Sequence, residues 1–146
     1  MLFDQSKALV SASVLAVAFG TAGCQMSSKD NVFDIAVEEQ SGLRQIQSRT
    51  FKTKDKDKTI QSVMTTMQDM GFVIGNADKE LGTVSGMKLD GYQLRMTVSV
   101  VPRNDGEMLV RANASYNNQP VDSEAAYNDY FNVLEQELKL PAQELG

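Results

Sequence analysis

Tyr92-Gln93-Leu94-Arg95-Met96-Thr97-Val98-Ser99-Val100 alternates apolar and polar residues without a break. Successive side chains of a strand point to opposite faces. Tyr92, Leu94, Met96, Val98 and Val100 therefore share one face, and Gln93, Arg95, Thr97 and Ser99 the other. This pattern predicts a sheet with one buried and one open face. Asp90-Gly91, just before it, is a tight-hairpin dipeptide, and Pro102 ends the run. Upstream, Leu81 to Leu89 reads as the partner strand, broken by Gly82 and Gly86. Phe72-Val73-Ile74 starts the strand before that, with Asn76 to Glu80 as the turn between them. Downstream, Asn104-Asp105-Gly106 turns the chain into Met108 to Tyr116, where Met108, Val110, Ala112, Ala114 and Tyr116 share one side.

Two helices flank these strands. Ile60, Val63, Met64 and Met67 fall at i, i+3, i+4 and i+7, which predicts a helix over Asp55 to Met70. Thr53 or Asp55 caps its start, and Gly71 ends it. Met64, Met67 and Met70 on this helix read as core or as a soft partner-binding face. Ser123 caps a second helix to about Leu140, with Tyr127, Phe131, Leu134 and Leu138 as its apolar stripe and Tyr130 beside it. Pro141 marks its stop. Leu43 to Thr53 is β-prone, with Ile46 and Phe51 as anchors. Their odd spacing predicts a bulge or an irregular edge. Asn117 to Asp122 is read as a loop.

Strands joined by tight turns are antiparallel, and two amphipathic helices can cover one apolar face. The expected fold is thus α+β, a two-layer sandwich. An antiparallel sheet of four to five strands is covered on one face by two helices.

The chain has 146 residues, 42% of them hydrophobic and 23% charged. Those values suit a globular domain rather than a disordered chain. The net charge is -5, which argues against a nucleic-acid partner, since phosphate affinity needs clustered Lys and Arg. The one dense basic run, Lys52, Lys54, Lys56 and Lys58, is interleaved with Asp55 and Asp57. It reads as a solvated helix start.

The absence of histidine and the presence of one cysteine exclude Ser-His-Asp and Cys-His triads and most zinc sites. Asp69 with Asp78 and Glu80, or Glu135 with Glu137, are the only acid sets to consider. They fall at helix ends, turns or faces where solvated carboxylates are ordinary. Asp105-Gly106-Glu107 is a turn, not a calcium loop, and no phosphate-binding glycine loop occurs. The expectation is a non-enzyme with no cofactor, no metal and no catalytic residues.

The cysteine is explained by its position. Met1 to Lys7 is a short polar start with one lysine, followed by an uncharged run from Ala8 to Phe19. Twelve residues make about 18 Å of helix, short of the ~30 Å hydrocarbon core. The run fits the apolar region of a signal peptide. Gly20-Thr21-Ala22-Gly23-Cys24 follows and resembles the bacterial lipoprotein lipobox at Ala22, Gly23 and Cys24. Thr21 departs from it, because leucine is usual there. The resemblance implies cleavage between Gly23 and Cys24 and acylation of Cys24, with palmitate among the acyl chains. Two or three such chains, at ~0.8 kcal/mol per buried CH₂, hold a protein on a bilayer. Gln25 follows the cysteine where enterobacterial sorting uses Asp for the inner membrane. That resemblance implies the outer membrane, with the domain facing the periplasm. The alternative is an ordinary secretory signal cut after Ala22 or Gly23.

The organisation expected is a signal peptide at 1–23, a lipidated terminus and flexible tether at 24–42, a globular domain at 43–140 and a tail at 141–146. As a flexible coil the 18 residues after Cys24 span roughly 20–25 Å. The tether carries one apolar patch at Val32, Phe33, Ile35 and Val37, which is able to dock on the domain or on a partner.

Residues 43–140 also resemble a family of uncharacterised Gram-negative envelope lipoproteins. The matching stretches are RQIQSRTFKTKD at 44–55, MQDMGFVI at 67–74 and LGTV at 81–84. More distantly, GFVIGNADKELGTVSG at 71–86 is similar to the helix-to-hairpin segment of BamC, an accessory lipoprotein of the outer-membrane barrel-assembly machine. That likeness covers about one eighth of the chain and implies a helix-grip-like sandwich, with no activity and no site residues.

Two roles remain. One is a non-catalytic binding or scaffolding module in the envelope, anchored by acylated Cys24 and joined to an envelope protein. The other is a carrier of a lipid or small apolar ligand between the sheet and the C-terminal helix, with room left by Gly82, Gly86, Ala112 and Ala114. An apolar cavity of at least ~300 Å³ favours the carrier, and a packed core with an exposed apolar patch favours the module.

The anchor itself is testable. Cys24→Ser is expected to accumulate at precursor mass and to take up no labelled palmitate, while the wild type is shortened and labelled. Intact-mass spectrometry and palmitate labelling read the outcome.

Overall fold

The computed structural model describes residues 39–89 and 93–145. Gly23, Cys24, the tether patch at 32–37 and the Asp90-Gly91 turn lie outside the described residues. A helix over 39–46 (α1) opens the described chain. It is followed by β1 (Ser48–Phe51), α2 (Lys56–Asp69), β2 (Val73–Asp78), β3 (Thr83–Leu89), β4 (Gln93–Pro102) and β5 (Met108–Tyr116). Two-residue β6 (Gln119–Pro120), α3 (Glu124–Leu138) and two-residue β7 (Gln143–Glu144) complete it. The strands lie in the order β2-β3-β4-β5-β1-β7, with β6 on β5. Every pairing is antiparallel. The fold is an α+β two-layer sandwich.

The β4 alternation holds through the register. Met96, Val98 and Val100 are buried, as are Met108, Val110 and Ala112 of β5, and all belong to one core with Ile60, Val63 and Met67 of α2. Tyr127, Tyr130, Phe131, Leu134 and Leu138 of α3 complete that core. Counting antiparallel steps, β1 and β2 run in the same direction on opposite sides of the β3-β4-β5 meander. The chain must therefore cross three strands between them, and residues 52–55 make most of that crossing at one end of the sheet: Lys54 lies beside Gly106, between β4 and β5, and Lys56 beside Gly82 at the start of β3. Helix α2 then runs along β3, from Lys56, which donates to the Glu80 carbonyl, to Met70, whose carbonyl accepts from Lys88. Its 14 residues span about 21 Å, close to the roughly 23 Å of the seven residues of β3.

Local chemistry sets the ends of α2 and α3. The Asp55 carboxylate accepts from the Lys58 N–H at 2.9 Å, and Gly71 takes φ +87° just after the α2 C-cap. Ser123 Oγ accepts from the Ala126 N–H. Gly82, at φ +73°, turns the chain into β3, and a Cβ there would run into the Val100 carbonyl oxygen.

Four expectations need correction. Residues 39–46 are helical, so Leu43 to Ile46 belong to α1 rather than to a strand, and residues 39–42 are not tether. Phe51 keeps its inward place in a β1 of four residues with no bulge. The bulge lies in β2, between Ile74 and Asn76. Asn76 to Asp78 continue β2, and the turn starts three residues later, at Lys79, fixed by the Leu81 N–H donating to the Asp78 carboxylate at 2.9 Å. Asn117 and Asn118 form a two-residue turn with both φ positive (45° and 68°), which is the primed hairpin geometry that asparagine tolerates. That turn pairs β6 with the end of β5. Helix α3 stops at Leu138, with Lys139 left-handed at its C-cap.

Two α3 tyrosines differ in their hydrogen bonding. Tyr127 Oη donates to Val121 O at 2.8 Å and accepts from Gln47 Nε2 and the Ala114 N–H. Tyr130 is fully buried, and its hydroxyl has no partner; its ring meets Phe131 edge-on at 5.2 Å. Losing one partner of a buried network leaves the others unsatisfied, at roughly 1–3 kcal/mol. Tyr127→Phe is therefore expected to destabilise by about 2 kcal/mol, and Tyr130→Phe to be neutral or stabilising. Burial pushes the Tyr130 phenol above its ordinary value, so the unfolded state ionises first. Stability from this group then falls as pH rises past about 10, the unfolded tyrosine value. Tyr130→Phe is expected to flatten that alkaline decline in urea unfolding.

Candidate functional site

The acid sets do not converge. Asp69 is exposed on α2. Asp78 caps its own turn, and Glu135 accepts from the Ala142 N–H just beyond α3. Among the described residues no group of three His, Cys, Asp or Glu side chains is placed to hold a metal. No described helix is long and apolar enough to cross a membrane.

Helix and sheet layers part where the C-terminal end of α2 meets the N-terminal end of α3. Met70, Phe72, Leu94, Met96, Ala114, Val121, Ala126 and Tyr127 line a notch there of about 130 Å³, with Lys88 at its edge. The notch lies between sheet and C-terminal helix, where an apolar ligand was expected. Of the four small residues expected to open it, only Ala114 lines it. Gly86 instead seats α2: an added Cβ would sit 3.0 Å from Met67 Cε and 2.9 Å from Val73 O. Ala112 is buried in the core, and Gly82 is a turn residue.

Neither α2 nor α3 covers the other side of the sheet, since both pack into the core on the inward face; α1 reaches only its β5 end, where Leu43 lines a hollow with Arg95, Thr97, Asn113 and Ser115. Register turns Thr83, Ser85, Thr97, Ser99 and Ser115 outward, together with Arg95 and Arg111. The outward positions of β3, β4 and β5 include no carboxylate. The one acid on this face of the β2–β5 strands is Asp78 of β2, opposite Thr83. One corner is apolar. Val73 of β2 stands opposite Met87 of β3, and Leu89 follows two residues on. Val73 and Leu89 are each 74% exposed. A shallow hollow of about 130 Å³ lies between Val73, Gly75, Ser85, Met87 and Arg95. Nothing in the period-2 pattern marks this corner. Val73 shares a short apolar run with Phe72 and Ile74, and only the pairing partner shows which face it takes.

Arg49 was also missed. It lies opposite Val110 on the inward face and is 7% exposed. Its guanidinium donates to the carbonyls of Gln45 (3.1 Å), Ile46 (3.4 Å) and Ser48 (2.8 Å), and to Asn128 Oδ1 at 2.7 Å. It lies 5.0 Å from the Phe131 ring centroid and 3.9 Å from exposed Glu144. The carbonyl end of α1 and its negative dipole thus hold the charge. This arginine clamps α1 and α3 to β1 and presents no donor set to a substrate.

Comparison with protein-family models gives no match, and comparison with curated proteins gives none.

Removing the clamp has a local and a global effect. Arg49→Ala leaves three carbonyls and Asn128 without their charged donor, and is expected to cost about 2–4 kcal/mol. Hydrogen exchange is expected to speed up first at residues 39–46, before the rest of the fold loosens.

Proposed function

We propose that this chain is a membrane-anchored lipoprotein of the bacterial envelope, held through acylated Cys24. In this reading its α+β domain is a non-catalytic binding or scaffolding module for an envelope protein. The anchor places it on the outer membrane, facing the periplasm. The observation that carries the binding role is the apolar corner Val73, Met87 and Leu89 on the sheet face that α2 and α3 leave uncovered. Covering one such side chain is worth roughly 1.5–3 kcal/mol, and an exposed apolar cluster rimmed by polar residues is the usual mark of an interaction site. Arg95, opposite Met87, and the neighbouring hydroxyl of Ser85 offer a charge opposite to an acidic partner and a hydrogen bond.

The carrier role has weaker support. Ligand pockets enclose roughly 300–1,000 Å³, and the apolar notch beside the C-terminal helix holds about 130 Å³. An acyl chain needs more room than that.

The test is crosslinking of full-length protein in membranes. Val73→Lys with Leu89→Lys is expected to change stability by no more than about 0.5 kcal/mol, since both sites are exposed. The wild type is expected to give a discrete protein adduct that the double variant loses. An adduct retained by the double variant, or recovery of lipid alone, defeats this reading.

A further inference from the structure

The notch at the helix ends differs from the bare face in both shape and charge. Its walls are almost wholly apolar, and its volume of about 130 Å³ is near that of one aromatic ring: an engineered cavity of ~150 Å³ accepts benzene. Met70 and Met96 place thioethers in the wall, and sulfur favours contact with a ring edge. Ala126 is exposed on the first turn of α3, so the mouth is open there.

Lys88 gives the notch its charge. It stands opposite Leu94 on the inward side of β3. Its stem lies across Gly71, within 3.4 Å of where a Cβ would be. The ammonium donates one bond, at 3.3 Å, to the Met70 carbonyl at the end of α2. An ammonium has three donors. The only ion pair among the described residues is that of Arg49 with Glu144, so Lys88 keeps donors for a ligand. Among the described residues no carboxylate lines the notch.

The geometry points to the notch as the seat for one aromatic side chain of a partner protein, next to an aspartate or glutamate of that partner which pairs with Lys88. The size admits a single ring and excludes an acyl chain. The apolar wall selects the ring, and the lone ammonium selects a neighbouring acid. A protein segment supplies both groups on adjacent residues. This site opens on the helix side of the sheet, opposite the face with Val73 and Leu89, and it stands without that face being used.

The test uses full-length protein in detergent micelles, with methionine methyl groups labelled for NMR. The probes are the dipeptides acetyl-Phe-Asp-amide and acetyl-Phe-Asn-amide. The acidic peptide is expected to shift the Met70 and Met96 methyl signals and to leave buried Met108 unmoved. The neutral peptide is expected to bind about fivefold more weakly, the range of an exposed ion pair. Lys88→Gln brings the two peptides level, and Ala126→Trp, which fills the mouth from an exposed position, removes both responses. The unmoved Met108 signal reports that each variant is folded. No shift at Met70 and Met96, or equal binding of the two peptides to wild type, overturns the proposal. Neither result touches the crosslinking test of the bare face.

Discussion

Val84, Val98 and Ala112 stand in one row across β3, β4 and β5, and Val100 faces Val110 in the row beside it. This strip of apolar side chains leaves the sheet in one direction only. Water must be kept from it, and a strip about three strands wide needs more than one helix to cover it. Helices α2 and α3 do this together, meeting over the strip with Ile60, Val63 and Met67 on one and Phe131, Leu134 and Leu138 on the other. The rest of the fold follows from that demand. The chain has to pass from β1 to β2, on the two flanks of the meander, and α2 is laid down along β3 on the way. Helix α3 returns over the same face, so neither of the two covers the opposite one.

The layers were legible because their signals are periodic. Alternation over 92–100 and the 3.6-residue spacing from Ile60 to Met67 each repeat several times, so no single residue decides them. What escaped was set by single contacts. Leu43 to Ile46 carries no strong period, and its helix end is satisfied by Arg49, a residue that itself reads as strand. The Asn117-Asn118 turn rests on two left-handed residues, a local choice that leaves no mark in hydropathy. Arg49 on the inward face looks like an error of pattern until its carbonyl partners are known. The acid-poor outward face was half visible: β4 announced Arg95, Thr97 and Ser99, but only the register brought Arg111, Ser85 and Ser115 beside them.

Small residues were expected to hollow out a ligand space, and the packing shows why they do not. Gly86 lets Met67 and α2 come down onto β3, so its missing side chain is already filled. The notch that does exist comes from where helices stop. α2 ends at Asp69 and α3 begins at Glu124, and the layer between them opens onto Ala114 and Ala126. Space in this fold thus comes from helix boundaries, and capping residues such as Asp55, Gly71 and Ser123 govern it as much as core residues do. Polar groups follow a similar division. Tyr127 joins three segments through one oxygen, whereas Tyr130 and Thr66 are packed with their hydroxyls unpartnered.

The clamp at Arg49 also gives the domain a mechanical polarity. Strand β1 lies between β5 and the two-residue β7, and the arginine ties it to the stretch at 39–46 through two carbonyls, those of Gln45 and Ile46. Tension arriving from upstream of residue 39 would meet those bonds before it reached the core. They act as a strain relief, like the collar where a cable enters a plug. A load transmitted along the backbone would first shear a short, replaceable contact, while the meander and its two helices stayed intact and ready to refasten.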